Sequence, residues 1–241
     1  MSPHLQSFPA NFRALVVGVS GAIGNALVDA LRSDAAAPTV LGLHRRSVPP
    51  VDFDDPDTVA RAAAALEGEA PFHLIVIATG VLHRAEGPRG AAQRPEKRLA
   101  DLDAAAMLAA FQANTVGPAL VLRHFAPRLD VQRGVLAVLS AKVGSIGDNR
   151  LGGWYSYRAS KAALNMVVKT AAIECARRQP NAVLVALHPG TVRSALSQPF
   201  NGETLGRAPA TAAAQMLSAL DALTPADSGS FIAYDGARLP W

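Results

Sequence analysis

The chain has 241 residues, half of them hydrophobic, and a formal net charge of +4 at pH 7. This length and hydrophobic content suffice for one domain with a sizeable core. The single cysteine, Cys175, excludes an intrachain disulfide framework and favours a reducing, cytoplasmic location. Met1–Phe12 is not typical of a signal peptide, and we expect no membrane span. The arginines are scattered, so the basic balance does not indicate nucleic-acid binding.

Short apolar runs alternate with alanine-rich helical segments along the chain, a pattern typical of βαβ units around a parallel sheet. It predicts strands at Arg13–Val17, Val40–His44, Phe72–Ala78, Val135–Leu139, Val183–Leu187 and Phe231–Tyr234. It predicts helices near Asn25–Arg32, Asp57–Leu66, Ala104–Leu129, Tyr155–Arg178 and Ala210–Leu223. The expected fold class is α/β: a single doubly wound (Rossmann) domain over residues 1–241, with helices on both faces of a parallel sheet.

Some local features interrupt this pattern. Pro118 falls inside the long third helix and predicts a kink there. Residues 83–99 carry charges, glycine and proline and are predicted to form a loop. Residues 194–210 are irregular for the same reason, and we expect them to form a small substrate lid. Trp154 and Tyr155 either line a substrate cleft or pack at a helix start.

A glycine-rich turn, Gly18–Gly24, follows the first predicted strand and begins the first helix. A helix N-terminus offers free backbone N–H groups and the positive end of the helix dipole, which together suit a pyrophosphate. Glycine lets the backbone approach that group closely, although tight turns require glycine as well. The turn residues predicted to bind a dinucleotide are Gly18, Ser20, Gly21, Ala22, Ile23 and Gly24.

The second predicted strand ends in His44–Ser47, a segment without a carboxylate. In doubly wound folds an acidic residue here binds the ribose hydroxyl of NAD, whereas arginine suits the 2′-phosphate of NADP. Arg45 and Arg46 therefore predict NADP(H) in preference to NAD(H), the alternative being two solvated arginines. Asp52 is a candidate acceptor for the adenine amino group, or else a carboxylate at a helix start near Thr58.

Tyr157 and Lys161 are four residues apart in a predicted helix, so they lie one turn apart on the same face. A free tyrosine has a pKa of about 10, and a nearby ammonium group lowers it. Tyr157 can then act as general acid toward a carbonyl or as general base toward an alcohol. Lys161 can also bind the nicotinamide ribose. Helices carry such pairs by chance too, and Asn114 by itself is only a polar residue near a kink.

In combination these motifs resemble the short-chain dehydrogenase/reductase family. Gly18–Gly24 is similar to the family's TGxxxGxG turn, and Ile77–Gly80 to its NNAG motif, of which the glycine is kept. Asn114–Gly117 resembles the motif whose asparagine holds a water in the family's proton relay. Tyr157 and Lys161 match YxxxK.

The resemblance continues to the end of the chain. His188–Ser194 is similar to the PG motif that lies along the nicotinamide. Gly144–Asn149 and Tyr234–Gly236 resemble the C-factor and sniffer-like carbonyl reductase branch. Further cofactor contacts implied by the resemblance are Ala78, Gly80, Pro189, Gly190 and Val192, with Tyr157 and Lys161 serving the cofactor as well. It also implies a homodimer or homotetramer.

The family's catalytic serine is missing at the matching position, three residues before Gly144, where this chain has Ala141. Ser140 precedes this position and Ser145 follows it. Neighbours on a strand point to opposite faces, so Ser140 does not automatically substitute. We take Ser140 as the candidate catalytic serine, with Ser145 in a shifted loop as the alternative.

The expected function is therefore hydride transfer between NADP(H) and a small-molecule carbonyl or alcohol, with Tyr157, Lys161, Asn114 and Ser140 as the catalytic residues. The rival is a nucleotide-binding regulatory or signalling protein of the same fold with little turnover, which Ala141 favours. No metal site is predicted, because none of the six histidines has zinc spacing with a second ligand. His83 is among the histidines expected to be structural or solvated.

Overall fold

The computed structural model describes residues 5–85 and 92–241. Its strands are β1 (Arg13–Val17), β2 (Thr39–Leu43), β3 (Leu74–Ile77), β4 (Val135–Leu139), β5 (Val183–His188) and β6 (Phe231–Ala233). They form one parallel sheet in the order β2-β1-β3-β4-β5-β6. The six apolar runs predicted as strands are all strands in the structure.

The main helices are α1 (Ala22–Arg32), α2 (Asp57–Ala65), α3 (Ala104–Phe111), α4 (Gly117–Phe125), α5 (Tyr155–Ala176), α6 (Gly202–Leu205) and α7 (Pro209–Asp221). In the loop predicted over residues 83–99, residues 86–91 lie outside the described part of the chain. Leu99–Asp101, where that loop was expected to end, is a 3-10 turn.

The sheet is covered on both faces, which explains why its strands are continuous apolar runs. Ala14 and Val16 of β1 point into the core cluster that contains α1 and α7. Leu15 and Val17 point into the opposite cluster, which contains α2, α4 and α5. The predicted doubly wound α/β domain with helices on both faces is confirmed.

The predicted helix Ala104–Leu129 is not continuous. A π-helical turn, Gln112–Val116, separates α3 from α4, and the Gly117 N–H bonds to the Gln112 carbonyl, five residues back. The irregularity therefore precedes Pro118 and does not coincide with it. Proline has no N–H, so the carbonyl four residues before it, that of Asn114, loses its α-helical donor.

The expectation that no segment could span a membrane also needs correction. Ala104–Arg128 is long and apolar enough to do so by length and composition alone. In this fold its residues Val121, Leu122 and Phe125 are buried in the core against the sheet. These three apolar residues of the segment therefore pack inside the domain.

The parallel strands bring their carboxyl ends to one edge of the sheet. The chain runs from β1 outward to β2 and then returns to β3 on the other side of β1. That reversal makes the crevice between the ends of β1 and β3 the place where doubly wound folds bind ligands. The segments that follow β1, β3, β4 and β5 all meet there.

Candidate active site

The glycine turn after β1 is shaped by contacts that exclude a side chain. Gly18 has a φ of +98°, and a Cβ there would lie 2.9 Å from Cγ2 of Thr79. A Cβ on Gly24 would lie 2.3 Å from the Gly18 carbonyl oxygen. Gly21 caps α1 without a side-chain hydrogen bond, so no side chain covers the first N–H groups of that helix. Such an uncapped helix start suits an anionic group.

A cavity of about 190 Å³, here called the Arg45 cavity, lies over the ends of β1, β2 and β3. The predicted cofactor residues that line it are Gly18, Ser20, Gly21, Arg45, Asp52, Ala78 and Gly80. Arg46 is exposed and does not line it, so only one arginine of the predicted pair faces the cavity. Arg84 also lines it, a contact that no motif of the sequence indicated.

Asp52 lies at the Arg45 cavity and is also linked to the start of α2. It lines the Arg45 cavity, and its Oδ1 accepts a hydrogen bond from the Asp54 N–H at 3.1 Å. Its backbone pairs with Thr58 near the start of α2, because Asp52 N–H donates to Thr58 Oγ1 at 2.8 Å. One backbone N–H therefore holds the carboxylate at the cavity, and the Asp52 backbone is anchored to Thr58.

A larger cavity of about 580 Å³, here called the Tyr157 cavity, adjoins the first. The two cavities share Gly21 and Ala78–Gly80. The larger one is lined by Ala22, Ile23, Leu139–Val143, Trp154, Tyr157, Lys161, His188–Val192, Ser194–Ser197 and Phe200 as well. It thus contains Ala22, Ile23, Pro189, Gly190 and Val192 of the predicted cofactor residues, together with Ser140.

Tyr157 and Lys161 project from α5 into this cavity and are 9% and 2% exposed. Lys161 Nζ donates to the Leu139 carbonyl at 2.9 Å and lies 5.9 Å from the centre of the Tyr157 ring. Burial raises the pKa of Tyr157 and lowers the pKa of Lys161 to about 7. The predicted lowering of the Tyr157 pKa is therefore absent in this structure, because burial disfavours both charged forms.

Asn114 lies in the π-helical turn and is fully buried. Its Oδ1 accepts from the Val81 N–H at 2.8 Å, and its Nδ2 donates to the Val81 carbonyl at 2.8 Å and to Ser160 Oγ at 3.1 Å. The side chain thus ties the segment after β3 to α5 and lines neither cavity. Pro118 leaves the main-chain carbonyl of Asn114 without its α-helical donor.

The serines next to Ala141 differ sharply in position. Ser140 lines the Tyr157 cavity, and its hydroxyl donates to Asn165 Oδ1 at 2.6 Å. Ser145 lies outside that cavity: its hydroxyl donates to the Trp241 carbonyl at 3.2 Å and accepts from the Asp148 N–H at 3.1 Å. Of these two serines, Ser140 is the one that lines the Tyr157 cavity. Ala141 also lines the cavity, without a hydroxyl.

Aromatic side chains connect the site to the predicted lid. Trp154 has a φ of +52° and lines the cavity, with its ring 4.9 Å from that of Phe200 and 6.3 Å from that of Tyr157. Tyr155 does not line the cavity. His83, expected to be structural or solvated, has its Nε2 3.1 Å from the Ala195 carbonyl oxygen, a structural contact. A histidine after β3 thus contacts the lid, a contact that depends on the tertiary fold.

The remaining segment after β5 is held in place from several sides. Gly190 has a φ of +68°, and a Cβ there would lie 3.0 Å from the ring of Tyr234. His188 Nδ1 accepts from the Lys142 N–H at 3.2 Å. Burial, helped by the positive charges of Lys142 and Arg207, lowers the pKa of His188 to about 4. His188 is therefore neutral at pH 7, with its proton on Nε2.

The sheet is doubly wound, with a glycine turn at its switch point and a buried tyrosine–lysine pair at the same edge. This combination is typical of oxidoreductases that bind a dinucleotide. The chain belongs to the short-chain dehydrogenase/reductase family, as its motifs predicted. A family model described as enoyl-(acyl carrier protein) reductase matches residues 24–239.

Two relatives illustrate the breadth of the family. C-signal of Myxococcus xanthus is 38% identical over 147 residues, which are 59% of this chain and 83% of that protein. The 1-hydroxy-2-glutathionyl-2-methyl-3-butene dehydrogenase of Rhodococcus sp. (strain AD45) is 38% identical over 130 residues. That match covers 54% of this chain and only about half of the dehydrogenase, 56%.

Solved structures share the fold at lower identity. NADPH-bound carbonyl reductase from chicken fatty liver superposes with a TM-score of 0.80 at 23% identity, over 97% of this chain and 96% of that chain. Carbonyl reductase Sniffer of D. melanogaster gives a TM-score of 0.80 at 22% identity, over 96% and 100%. The C-signal relative and the Sniffer neighbour agree with the branch that the motifs indicated.

Proposed function

We propose that the chain is an NADP(H)-dependent carbonyl reductase, which transfers hydride between the nicotinamide and a small-molecule carbonyl or alcohol. The observation that carries this proposal is the burial of Tyr157 and Lys161 together in a cavity that also contains the glycine turn. A proton donor, a cation and a phosphate-binding helix start thus meet at the same edge of the sheet.

The residues present fit a dinucleotide. The two adjoining cavities share Gly21 and Ala78–Gly80, and together they extend from Arg45 to Tyr157. The uncapped start of α1 lies at Gly21, which both cavities share. Thr79 Oγ1 is buried at the shared wall without a partner in the described part of the chain, as expected of a group whose partner is a ligand.

Specific residues would hold each part of this cofactor. Gly18, Ser20 and Gly21, with the first N–H groups of α1, would hold the pyrophosphate, and Arg45 the 2′-phosphate. Pro189, Gly190 and Val192 would border the nicotinamide, and Lys161 its ribose. The cofactor would supply the hydride. The two chicken and fly neighbours, named as carbonyl reductases, support this assignment, and the chicken enzyme is named as NADPH-bound.

Tyr157 would supply the proton. Its hydroxyl is protonated at pH 7, as it is at the ordinary tyrosine pKa of about 10, and burial disfavours the phenolate further. The hydroxyl can therefore donate a proton to a carbonyl oxygen. Alcohol oxidation requires the opposite, a phenolate that accepts a proton. The site is therefore better suited to reduction than to oxidation at neutral pH.

The lid and the assembly belong to the same proposal. Ser194–Ser197 and Phe200 line the Tyr157 cavity, so residues 194–210 would close over the substrate. Leu108, Met166 and Ile173 expose apolar side chains on α3 and α5, which supports a homodimer or homotetramer.

Isothermal titration with NADPH and NADH, followed by NADPH consumption with a panel of aldehydes and ketones, tests this function. Tight NADPH binding with turnover of at least one carbonyl compound is the expected result.

A second candidate function, a nucleotide-binding regulator, is favoured by Ala141 and by the engagement of the Ser140 proton with Asn165. It predicts NADPH binding without turnover.

A further inference from the structure

Asn165 is a buried polar residue with no role in the function proposed above. It lies one turn beyond Lys161, so Tyr157, Lys161 and Asn165 follow one another at four-residue spacing on one face of α5. Asn165 is 3% exposed. Its Oδ1 accepts the Ser140 hydroxyl at 2.6 Å, and its Nδ2 has no partner within the described residues. A buried amide nitrogen without a partner is costly and rare in native proteins.

This arrangement occupies the proton of Ser140. A serine hydroxyl has one proton, and here it points to Asn165 Oδ1 and not to a ligand oxygen. Ala141, at the position where the family has its serine, offers no proton. In this arrangement neither Ser140 nor Ala141 offers a hydroxyl proton that could bind the substrate oxygen together with Tyr157.

A half-turn of the Asn165 amide changes the direction of this hydrogen bond. Nδ2 then takes the place of Oδ1 and donates to Ser140 Oγ, which frees the Ser140 proton for another acceptor. Without a substrate the exchange keeps one hydrogen bond between these side chains. With a carbonyl oxygen in the cavity it allows two, from Asn165 to Ser140 and from Ser140 to the substrate. A substrate oxygen therefore favours the turned amide.

Hydrogen bonds fix the backbone around Ser140, so the side-chain amide of Asn165 is the part that can change its orientation. The Ser140 N–H donates to the Leu187 carbonyl at 2.8 Å, and Lys161 holds the Leu139 carbonyl at 2.9 Å. Both contacts fix the end of β4 against its neighbours. We propose that Asn165 is the positioning residue for Ser140, and that its amide orientation decides whether Ser140 donates to the substrate carbonyl. This inference rests on the proposed function.

Kinetics of four variants test it. Asn165→Asp keeps the shape, and in its ionised form it has only acceptor oxygens, so at a pH where it is ionised it holds the Ser140 proton. We expect kcat to fall by about 10²–10³, as in Ser140→Ala, with an unchanged KM for NADPH. The double variant, which combines Ser140→Ala with Asn165→Asp, should be no slower than Ser140→Ala alone. Asn165→Ala removes the acceptor, so its kcat should fall less than that of Asn165→Asp. If Asn165 had only a packing role, the order would be reversed.

The matched control is Asn181→Asp, an exposed asparagine just before β5, at the edge of the sheet opposite the site. It should leave kcat unchanged. A second measurement needs no turnover: the infrared carbonyl stretch of isotope-labelled acetophenone, bound together with NADP⁺. The stretch should lie at lower wavenumber in the wild type and Asn181→Asp than in Ser140→Ala and Asn165→Asp.

An Asn165→Asp variant with the wild-type carbonyl stretch and kcat would overturn the positioning role. A wild type that binds acetophenone but reduces no aldehyde or ketone of the panel rejects the proposed function alone, since the infrared comparison still reports whether Asn165 controls the hydrogen bond of Ser140.

Discussion

Lys161 Nζ lies 5.9 Å from the centre of the Tyr157 ring, and both side chains are almost wholly buried. Burial shifts the two pKa values in opposite directions, that of Tyr157 upward and that of Lys161 down to about 7. The pair thus holds a protonated phenol beside an amine whose charge changes near neutral pH. The predictions below follow from this pair and its surroundings.

Tyr157→Phe should abolish carbonyl reduction and leave NADPH affinity within about twofold, because it removes the proton donor and keeps the ring. Single-turnover kinetics and isothermal titration measure the two effects separately. Tyr155→Phe is the matched control, since Tyr155 lies two residues earlier and outside the cavity. Near-normal reduction by Tyr157→Phe would place the proton donor elsewhere.

Arg45→Ala should weaken the preference for NADPH over NADH by roughly tenfold or more, because a charge-assisted contact with the 2′-phosphate is lost. Arg46→Ala should change the preference little, since Arg46 does not line the cavity. Dissociation constants for both cofactors decide the point. Equal affinity of the wild type for NADPH and NADH would refute the assigned role of Arg45.

Lys161 should make folding stability depend on pH. Its pKa is about 7 in the folded chain, against an ordinary value of 10.5 in the unfolded chain. Between these values the unfolded state binds a proton that the folded state does not, so stability falls as pH decreases from about 10 toward 7. Relative to Lys161→Met, the wild type should gain about 2 kcal/mol between pH 7 and pH 9.

Urea unfolding of both proteins at the two pH values measures this difference. Lys97→Met, which changes an exposed lysine, should follow the wild type. A parallel pH dependence in the wild type and Lys161→Met would show that the buried amine keeps its ordinary pKa.

His83→Ala should loosen the lid. His83 Nε2 lies 3.1 and 3.2 Å from the carbonyl oxygens of Ala195 and Leu196, and its ring packs 6.0 Å from that of Phe200. Loss of a hydrogen bond worth about 1 kcal/mol should raise the KM for the carbonyl substrate about fivefold, with the NADPH affinity unchanged. Hydrogen exchange of the amides in 194–206 should quicken in parallel.

His83→Phe separates the two contacts of this residue. It keeps an aromatic ring against Phe200 but cannot donate to the lid carbonyls. We expect its exchange rates to resemble those of His83→Ala. Wild-type exchange in His83→Phe would mean that ring packing alone holds the lid.

Much of this molecule was determined locally and could be predicted from the sequence. The apolar runs identified the strands, because both faces of a parallel sheet are buried. The spacing of Tyr157 and Lys161 placed them on one helical face, since four residues nearly complete a turn. Gly18 and Gly24 marked the turn, because its backbone leaves no room for a Cβ at either position.

The tertiary structure alone decided which partner each side chain meets. Lys161 bonds to the Leu139 carbonyl, Ser145 to the Trp241 carbonyl and His83 to the lid, all across long sequence separations. The burial that raises the pKa of Tyr157 depends on the same packing, whereas the sequence suggested a lowered value. Helix and strand periodicity arises from neighbours along the chain, but desolvation and hydrogen-bond partners depend on how distant elements pack, which no local pattern encodes.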